Sequence, residues 1–398
     1  MNKQRQPEQN KSSFQTAHIF LLSLSHFVHD VYSSFLAPLL PLLIEKLSLT
    51  LTQAGFLSAA MQLPALANPL LGLMADRVSL RYFVILAPML TAIPMSLIGL
   101  APTYGVLLLL LVFAGISVAL FHVPAPVMIA RMAGGKKGRG MSFFMTGGEL
   151  ARMAGPLIAV AAVSLFGLNG FWPIMIIGIA TSGLLFFRFK HVNLAFHNKK
   201  NTTTLAATFV DMRHILMPLS IILVARSFMH GSLTAFLPTF IERQSGNIWM
   251  GGFALALFEA AGVVGVLIAG SLSDHLGRRK MLFISLVCAP LTLAAFVLAH
   301  GWIRVIALSG TGLMLLSTTP VMLALVQEHA KNSPAAANGM FMMIAFLARS
   351  SVVVLIGFIA DHTNLETTYL ISAVAGLIGI PFIFMLPKHK KTTDHSCT

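Results

Sequence analysis

The sequence is poor in cysteine and in charged residues. Cys288 and Cys397 are the only two cysteines, which excludes a disulfide-rich scaffold and a metal cluster built on cysteine. Charged residues make up 10% of the 398 positions, whereas a soluble domain carries about 25%. So small a charged fraction cannot cover the surface of a water-soluble globule of this length.

The sequence also lacks the elements of a nucleotide-hydrolysing protein. It contains no phosphate-binding loop of the G-x-x-x-x-G-K-[ST] type, and its longest polar hinge has only about 25 residues. Hydrophobic residues, in contrast, make up 56% of the chain. We therefore predict a polytopic membrane protein that has no cofactor and is driven by an ion gradient or works downhill.

Twelve apolar runs are long enough to cross a bilayer as helices, since about 20 residues suffice. The runs are too long and too uniformly apolar for barrel strands. The first run is too long for a signal-peptide core, so we expect it to remain as the first helix. The predicted fold is all-α, and its spans are 17–44, 52–75, 82–101, 105–130, 141–167, 171–188, 214–241, 250–273, 281–299, 302–327, 337–360 and 367–386.

Basic residues predict the orientation of the helices. With the N-terminus in the cytoplasm, 21 of the 27 Lys and Arg residues lie in cytoplasmic segments and three lie on the opposite side. We therefore predict a multi-pass protein of a bacterial-type inner membrane with both termini cytoplasmic. The net charge of +14 is spread thinly over the loops, so nucleic acid is not expected as a partner.

The chain divides into two similar halves. The tripeptide at 150–152 recurs at 347–349, and a Gly-x-x-x-Asp pattern after the second helix recurs after the eighth. Such a duplication is typical of transporters in which two bundles rock around a central site. The predicted parts are a tail at 1–16, a six-helix bundle at 17–188, a linker at 189–213, a second six-helix bundle at 214–387 and a tail at 388–398.

Two loop segments resemble the signature of the major facilitator superfamily. Residues 72–81 read GLMADRVSLR and residues 270–280 read GSLSDHLGRRK, the second copy being nearly complete. The resemblance implies a cytoplasmic latch at each copy, in which an aspartate such as Asp76 meets the N-terminus of a facing helix. The alternative is an ordinary basic hairpin. The signature residues are Gly72, Asp76, Arg77, Arg81, Gly270, Asp274, Gly277, Arg278 and Lys280.

Further residues resemble the fosmidomycin resistance group of drug exporters. They include residues 23–26 followed by Asp30, the Phe121-His122 pair, residues 130–133 and the Gly147-Gly148 pair. Two departures are the absence of an acid after His122 and the presence of Glu149.

Gly155 and Pro156 resemble the fifth-helix signature of antiporters in this superfamily. The proline frees a backbone carbonyl and bends its helix. This resemblance favours export.

Six ionisable side chains lie within the predicted spans. Each costs about 2.5–3.5 kcal/mol at mid-membrane on insertion scales, so we expect them to face a cavity or one another. In the superfamily's arrangement their helices line the central cavity, and the outer helices carry no such charge. The six are Asp30, Glu149, Arg152, Arg226, Glu259 and Arg349.

The acids are candidates for carrying a proton. Asp30 belongs to a polar stripe with His26 on the first helix, so it either carries a proton that His26 tunes or fixes helix packing. Glu149 is three residues from Arg152 and is either a switch or a fixed pair. Glu259 is the third acid that is a candidate for carrying the proton. Gly262 and Gly265, which follow it, predict close helix packing.

His122 has three interpretations: a satisfied core histidine, part of the proton path, or a metal ligand. His26, His29 and Asp30 could in principle hold a metal. Without a second cluster of ligands in the sequence, we predict no metal site.

The arginines and His230 are candidates for binding substrate. Arginine stays charged, so it cannot carry the proton, but it binds carboxylates and phosphonates well. Arg152, Arg226 and Arg349 therefore favour an anionic group on the cargo. The alternative is that each only neutralises one of the three acids.

Three functions remain open. The favoured one is a proton-coupled antiporter that exports a small anionic or zwitterionic compound or drug, in contact with lipid and working as a monomer, as is usual in the superfamily. The alternative is an importer of a nutrient anion or metabolite on the same fold, and a divalent-metal exporter is a weaker one. An enzyme is not expected, because no nucleophile, base and orienting group occur together.

Overall fold

The computed structural model describes residues 14–77, 81–190, 205–330 and 334–387. Within these ranges the regular structure is entirely helical, which confirms the predicted all-α class. The helices are α1 (Thr16–Ser33), α2 (Leu36–Leu47), α3 (Leu51–Gln62), α4 (Asn68–Arg77), α5 (Arg81–Leu97), α6 (Tyr104–His122), α7 (Pro124–Met132), α8 (Lys137–Phe166), α9 (Met175–Phe189), α10 (Leu205–Ser245), α11 (Ile248–Leu276), α12 (Arg278–Leu298), α13 (Gly301–His329), α14 (Pro334–His362), α15 (Leu365–Leu377) and α16 (Ile380–Ile383).

Prolines divide several of the predicted spans. The break between α1 and α2 lies at Ser34. In a continuous helix the ring of Pro38 would clash with the backbone carbonyl of Ser34, four residues earlier. In the same way, the predicted span 52–75 is divided into α3, a 3-10 turn at Leu63–Ala67 and α4. Eleven segments of the described residues are long and apolar enough to cross a membrane, and this divided span is not among them.

The long helix α10 begins earlier than the sequence predicts. It starts at Leu205 rather than at 214 and runs for 41 residues, or about 60 Å, roughly twice the thickness of the hydrocarbon core. The last part of the predicted linker is therefore helical. Residues 191–204 of that linker, and most of both predicted tails, lie outside the described residues.

Equivalent helices pack in the same pairs in the two halves. In the first half α1 packs on α8 and α5 on α9, and in the second half α10 packs on α14 and α12 on α15. α11 packs closely on α13, where a Cβ at Gly265 would lie 2.2 Å from the Leu313 carbonyl oxygen. This confirms the close packing predicted from Gly262 and Gly265.

The most extensive contacts between the halves are made by three pairs of helices, α2 with α10, α3 with α14 and α8 with α11. Glycines bring two of these helices together. A Cβ at Gly357 would lie 2.2 Å from the Leu51 carbonyl oxygen, and one at Gly55 would lie 2.7 Å from the Val353 carbonyl oxygen. These contacts lie near the start of α3 and the end of α14. We call this end of the molecule the Asp361 face, and the opposite end the Asp274 face.

Candidate functional site

The second loop signature forms an ion-pair network within one half. Arg278 Nη2 lies 2.5 Å from Asp274 Oδ1 and 2.8 Å from Glu328 Oε1, so it joins the end of α11 to α13. Gly277 has φ of +91°, a backbone conformation that favours glycine. A Cβ added at Gly270 would have no neighbouring atom within 4 Å. Within the described residues Asp274 is thus paired with Arg278 of its own hairpin, and a latch at this copy stays a prediction.

The other signature residues contribute less to the site. Arg81 Nη2 donates to the Tyr82 hydroxyl at 3.3 Å, and Lys280 is exposed. The side chains of Asp76 and Arg77, and the surroundings of Gly72, lie outside what the structure describes. The predicted latch at Asp76 therefore stays a prediction.

A cluster of histidines surrounds Asp30 in the first half. Asp30 Oδ2 lies 3.2 Å from His26 Nε2 and 3.4 Å from His122 Nε2, and Oδ1 lies 2.8 Å from His29 Nδ1. Asp30 and His26 are almost fully buried, at 9% and 3% exposure. Because His122 comes from the end of α6, the cluster connects two helices through a carboxylate.

The predicted pair of Glu149 and Arg152 is present on α8. An Arg152 Nη2 nitrogen donates to Glu149 Oε1. The Arg152 side chain is 50% exposed, although charged groups on α1, α11 and α14 are close enough to interact with it. Arg152 is therefore accessible to solvent although charged groups of both halves lie near it.

Glu259 lies on α11 opposite this pair. It is 9% exposed, and its charge interacts with those of Arg152, Glu149 and Arg349. No hydrogen bond or ion pair within 4 Å reaches its carboxylate from the described part of the chain. Glu259 thus contributes a buried acid at the junction of the two halves.

Arg226 on α10 is held by α13 rather than by an acid. Its Nε donates to the Leu315 carbonyl oxygen at 3.3 Å and its Nη2 to the Thr319 hydroxyl at 2.9 Å. His230, one helical turn further on, is equally buried at 8% exposure. Within the described residues no carboxylate forms an ion pair with Arg226, so it does not merely neutralise one of the three acids.

Arg349 extends this basic region from α14. Its guanidinium lies 4.9 Å from the centre of the Phe346 ring, and its charge interacts with those of Arg226 and Glu259. Each of the six predicted ionisable side chains therefore lies close enough to another of the set for their charges to interact, and these interactions extend across both halves. Their roles in transport stay predictions.

Gly155 lets α8 approach the break between α1 and α2. A Cβ at Gly155 would lie 1.8 Å from Ser34 Oγ and 3.2 Å from the Val31 carbonyl oxygen. α8 is a single helix through Pro156. Gly155 therefore allows α8 to pack closely against the point where the first predicted span is interrupted.

Sequence reasoning missed several partners in this site. It did not predict the hydrogen bond between His29 and Asp30, although the two residues are adjacent in the chain. It gave no signal for Thr319 or for the Phe144 carbonyl oxygen, which lies 2.8 Å from His26 Nδ1. Both contacts depend on how distant helices pack.

Comparison with known proteins identifies a family and several similar transport proteins. The sequence profile of the Major Facilitator Superfamily matches residues 22–353 and 252–396. The chain is 27% identical over 377 residues to the Fosmidomycin resistance protein of Escherichia coli (strain K12), covering 92% of this chain and 91% of that one. It is also 25% identical over 394 residues to the uncharacterised transporter YfnC of Bacillus subtilis (strain 168), covering 94% of both.

A solved structure has the same fold. It is a bacterial homologue of the human lysosomal transporter Spinster in an inward-facing and occupied conformation. The TM-score is 0.82 at 14% sequence identity, and the alignment covers 94% of this chain and 97% of the other. This likeness concerns the fold alone.

Proposed function

Because the chain belongs to the Major Facilitator Superfamily and is a membrane transporter rather than an enzyme, we propose that it is a proton-coupled antiporter that exports a small zwitterionic organic compound. The observation that carries the proposal is Glu259. It is a buried carboxylate between basic groups of both halves, and no described residue neutralises it by a direct hydrogen bond.

The arginines supply the binding site for the negative group of the cargo. A guanidinium has five N–H donors in a planar fork, and the hydrogen bonds of Arg226 to Leu315 and Thr319 use only part of them. The remaining donors suit a carboxylate or phosphonate. Arg349 interacts with the same region, so the positive charge there exceeds what Glu259 alone balances.

Glu259 supplies the site for the positive group of the cargo or for a proton. An ammonium group and a proton cannot both occupy one carboxylate, so proton binding releases a zwitterion. This mutual exclusion is the requirement for antiport. A purely anionic cargo behaves in the opposite way, because protonation of Glu259 makes the cavity more positive and strengthens anion binding.

The alternative function follows from this difference in sign. If the cargo carries only negative charge, the same residues favour joint binding of proton and cargo, which is symport and therefore import. Glu149 and Arg152 serve both mechanisms, since a pair on α8 that faces Glu259 can exchange partners when the charge of Glu259 changes.

Alternating access follows from rocking of the two six-helix units, 17–188 and 214–387, around this site. Tight glycine contacts at the Asp361 face and the open surroundings of Gly270 at the Asp274 face support a state closed at one end. The basic-residue count makes the Asp274 face cytoplasmic. We place the protein in the inner membrane of a bacterial-type cell, where it works as a monomer.

The test uses protein reconstituted in liposomes with an internal pH-sensitive dye. The probes are fosmidomycin, amino acids and dicarboxylates, each added without a pre-formed pH gradient. Antiport predicts that entry of a zwitterionic amino acid is accompanied by proton exit, and that Glu259→Gln abolishes the proton movement. Proton entry together with cargo would establish the symport alternative, and unchanged proton exit in Glu259→Gln would remove Glu259 from the mechanism.

A further inference from the structure

The histidine cluster around Asp30 has the donor set of a metal site. We propose that His26, Asp30 and His122 bind a divalent transition-metal ion of the zinc class in the first half of the protein. The sequence alone predicted no metal site, because it contains no second cluster of ligands, and His122 is far from Asp30 along the chain. Packing of α6 against α1 brings the third ligand into place.

The spacing of the three ligand atoms fits one small ion. His26 Nε2, His122 Nε2 and Asp30 Oδ2 are separated by 3.2, 3.3 and 3.4 Å. A triangle with these sides has a circumscribed radius of about 1.9 Å, slightly less than a zinc–nitrogen or zinc–oxygen bond of about 2.0–2.1 Å. An ion just outside the plane of the triangle therefore reaches all three atoms at bonding distance.

Both histidine rings are oriented as metal ligands are. His26 Nδ1 lies 2.8 Å from the Phe144 carbonyl oxygen, and His122 Nδ1 lies 3.0 Å from the Val118 carbonyl oxygen. A carbonyl oxygen can only accept, so each Nδ1 carries a hydrogen, and in the neutral form of each ring the lone pair is on Nε2, which faces the other ligands. Such outer contacts fix the tautomer of metal-binding histidines.

These lone pairs need a cation between them. Two Nε2 atoms at 3.3 Å with a carboxylate oxygen beside both are three acceptors facing one another. A single proton joins only two of the three, whereas one metal ion binds all of them. His29 donates from Nδ1 to the second oxygen of Asp30 at 2.8 Å, which leaves Oδ2 directed at the site.

The site is also open enough to be loaded. The His122 side chain is 37% exposed, so an ion can reach it from outside the cluster. Gly148 bounds the cluster, since a Cβ there would lie 2.7 Å from His26 Nε2 and 3.3 Å from Asp30 Oδ2. Three protein ligands leave a fourth position for water. Two imidazoles and one carboxylate favour zinc, cobalt or nickel over magnesium or calcium.

The experiment titrates full-length, tag-free protein in detergent with Co²⁺, followed by Zn²⁺. Tetrahedral Co²⁺ absorbs visible light strongly and six-coordinate Co²⁺ only weakly, so the expected result is a strong band that Zn²⁺ removes at one ion per chain. His122→Gln and Asp30→Asn should each weaken binding by about 100-fold or more, as loss of a ligand exceeds the 10–100-fold effect of an outer contact.

His362→Gln is the matched control. His362 Nδ1 makes the same contact to a carbonyl oxygen four residues earlier, at 2.8 Å, but it is exposed and outside the cluster, so the band should be unchanged. Gly148→Ala keeps all ligands and should weaken binding by displacing His26.

If the ligand variants do not fold, X-ray absorption of the zinc-loaded wild type decides, since two imidazoles must be present. A six-coordinate spectrum, or a band that survives in folded His122→Gln, would overturn the proposal.

Discussion

Asp361 and Thr52 lie 309 positions apart in the chain and are joined by two hydrogen bonds. The Thr52 backbone N–H donates to Asp361 Oδ2 at 2.8 Å, and the Thr52 hydroxyl donates to the same oxygen at 2.6 Å. The Leu51 N–H donates to Oδ1 at 2.7 Å. The carboxylate at the end of α14 thus caps the N-terminus of α3, where free N–H groups and the helix dipole favour an anion. One half of the protein is fastened to the other at this face.

Replacing Asp361 should loosen that face. Asp361→Ala removes all three hydrogen bonds to a charged acceptor, and loss of such bonds costs about 1.5–3 kcal/mol. The equilibrium should therefore shift by about 10-fold or more toward the state open at the Asp361 face. Spin labels at Ser48 and Thr363, in a background without cysteine, report this as a longer distance distribution in detergent or liposomes.

Glu366→Ala is the control for this shift. Glu366 is an exposed acid in the first turn of α15 on the same face, and none of the described cross-half hydrogen bonds involves it. Its removal should leave the distance distribution unchanged. Equal effects of the two substitutions would mean that surface charge, and not the helix cap, closes the face.

Gly357 provides a second, uncharged test of the same closure. A Cβ there would lie 2.2 Å from the Leu51 carbonyl oxygen and 2.7 Å from the Leu51 carbonyl carbon, so Gly357→Ala must move α14 away from α3. We expect the variant to lose about 1–3 kcal/mol of stability through overpacking, seen as a lower Tm, and to open at the Asp361 face.

Gly183→Ala is the matched control for that variant. Gly183 lies within α9, and no atom lies within 4 Å of the added Cβ. Alanine is the better helix former by about 0.8–1.0 kcal/mol, so Tm should stay the same or rise. A Tm of Gly357→Ala that equals the wild-type value would show that the contact between α3 and α14 is looser than the structure gives.

The sequence was sufficient to predict the residue types of the candidate site but not their partners. A charge inside an apolar run is visible by inspection, and its cost makes convergence on a cavity the expected result. Glu149 and Arg152 also pair as predicted, because a spacing of three residues places them on one helix face. This part of the site can therefore be predicted from the spacing of residues along one helix.

The remaining contacts depend on tertiary packing. The approach of His122 to Asp30 requires α6 to lie beside α1, and the bond from Arg226 to Thr319 requires α13 beside α10. Asp361 resembles an ordinary loop acid in the sequence, since nothing in its neighbours indicates a helix N-terminus 309 positions away. Pairings between helices leave no periodic trace in a single sequence.

The proposed antiport predicts how cargo affinity depends on pH. A proton and the positive group of the cargo compete for Glu259, so affinity for a zwitterion should rise with pH until Glu259 is fully ionised. In Glu259→Gln the affinity should fall by about 10-fold or more, because a charged hydrogen bond of about 1.5–3 kcal/mol is lost. The affinity of this variant should also no longer vary with pH. Calorimetric titration at several pH values measures both effects.

Glu259→Asp is the matched control, because it keeps the carboxylate and should keep the slope. An affinity that falls as pH rises would mean that cargo and proton bind together, which is the behaviour of the symport alternative. A slope that persists in Glu259→Gln would assign the coupling proton to another group.

Arg226 should set the affinity for the negative group of the cargo. Arg226→Ala removes a buried guanidinium and should weaken binding by about 2 kcal/mol or more, roughly 30-fold. Arg226→Lys keeps the charge but not the planar fork, so we expect an intermediate loss. Arg243→Ala, an exposed arginine near the other end of α10, should bind cargo like the wild type.

Thr319→Val separates binding by Arg226 from its structural contact with α13. The variant removes the hydroxyl that accepts from Arg226 Nη2 and leaves the positive charge in place. If Arg226 binds cargo directly, affinity should fall only slightly, because the released N–H can turn toward the ligand. If Arg226 mainly fixes α13 to α10, Thr319→Val should lower Tm and affinity as much as Arg226→Ala does. Only a large loss of affinity confined to the Arg226 variants, at unchanged Tm, agrees with a substrate-binding arginine.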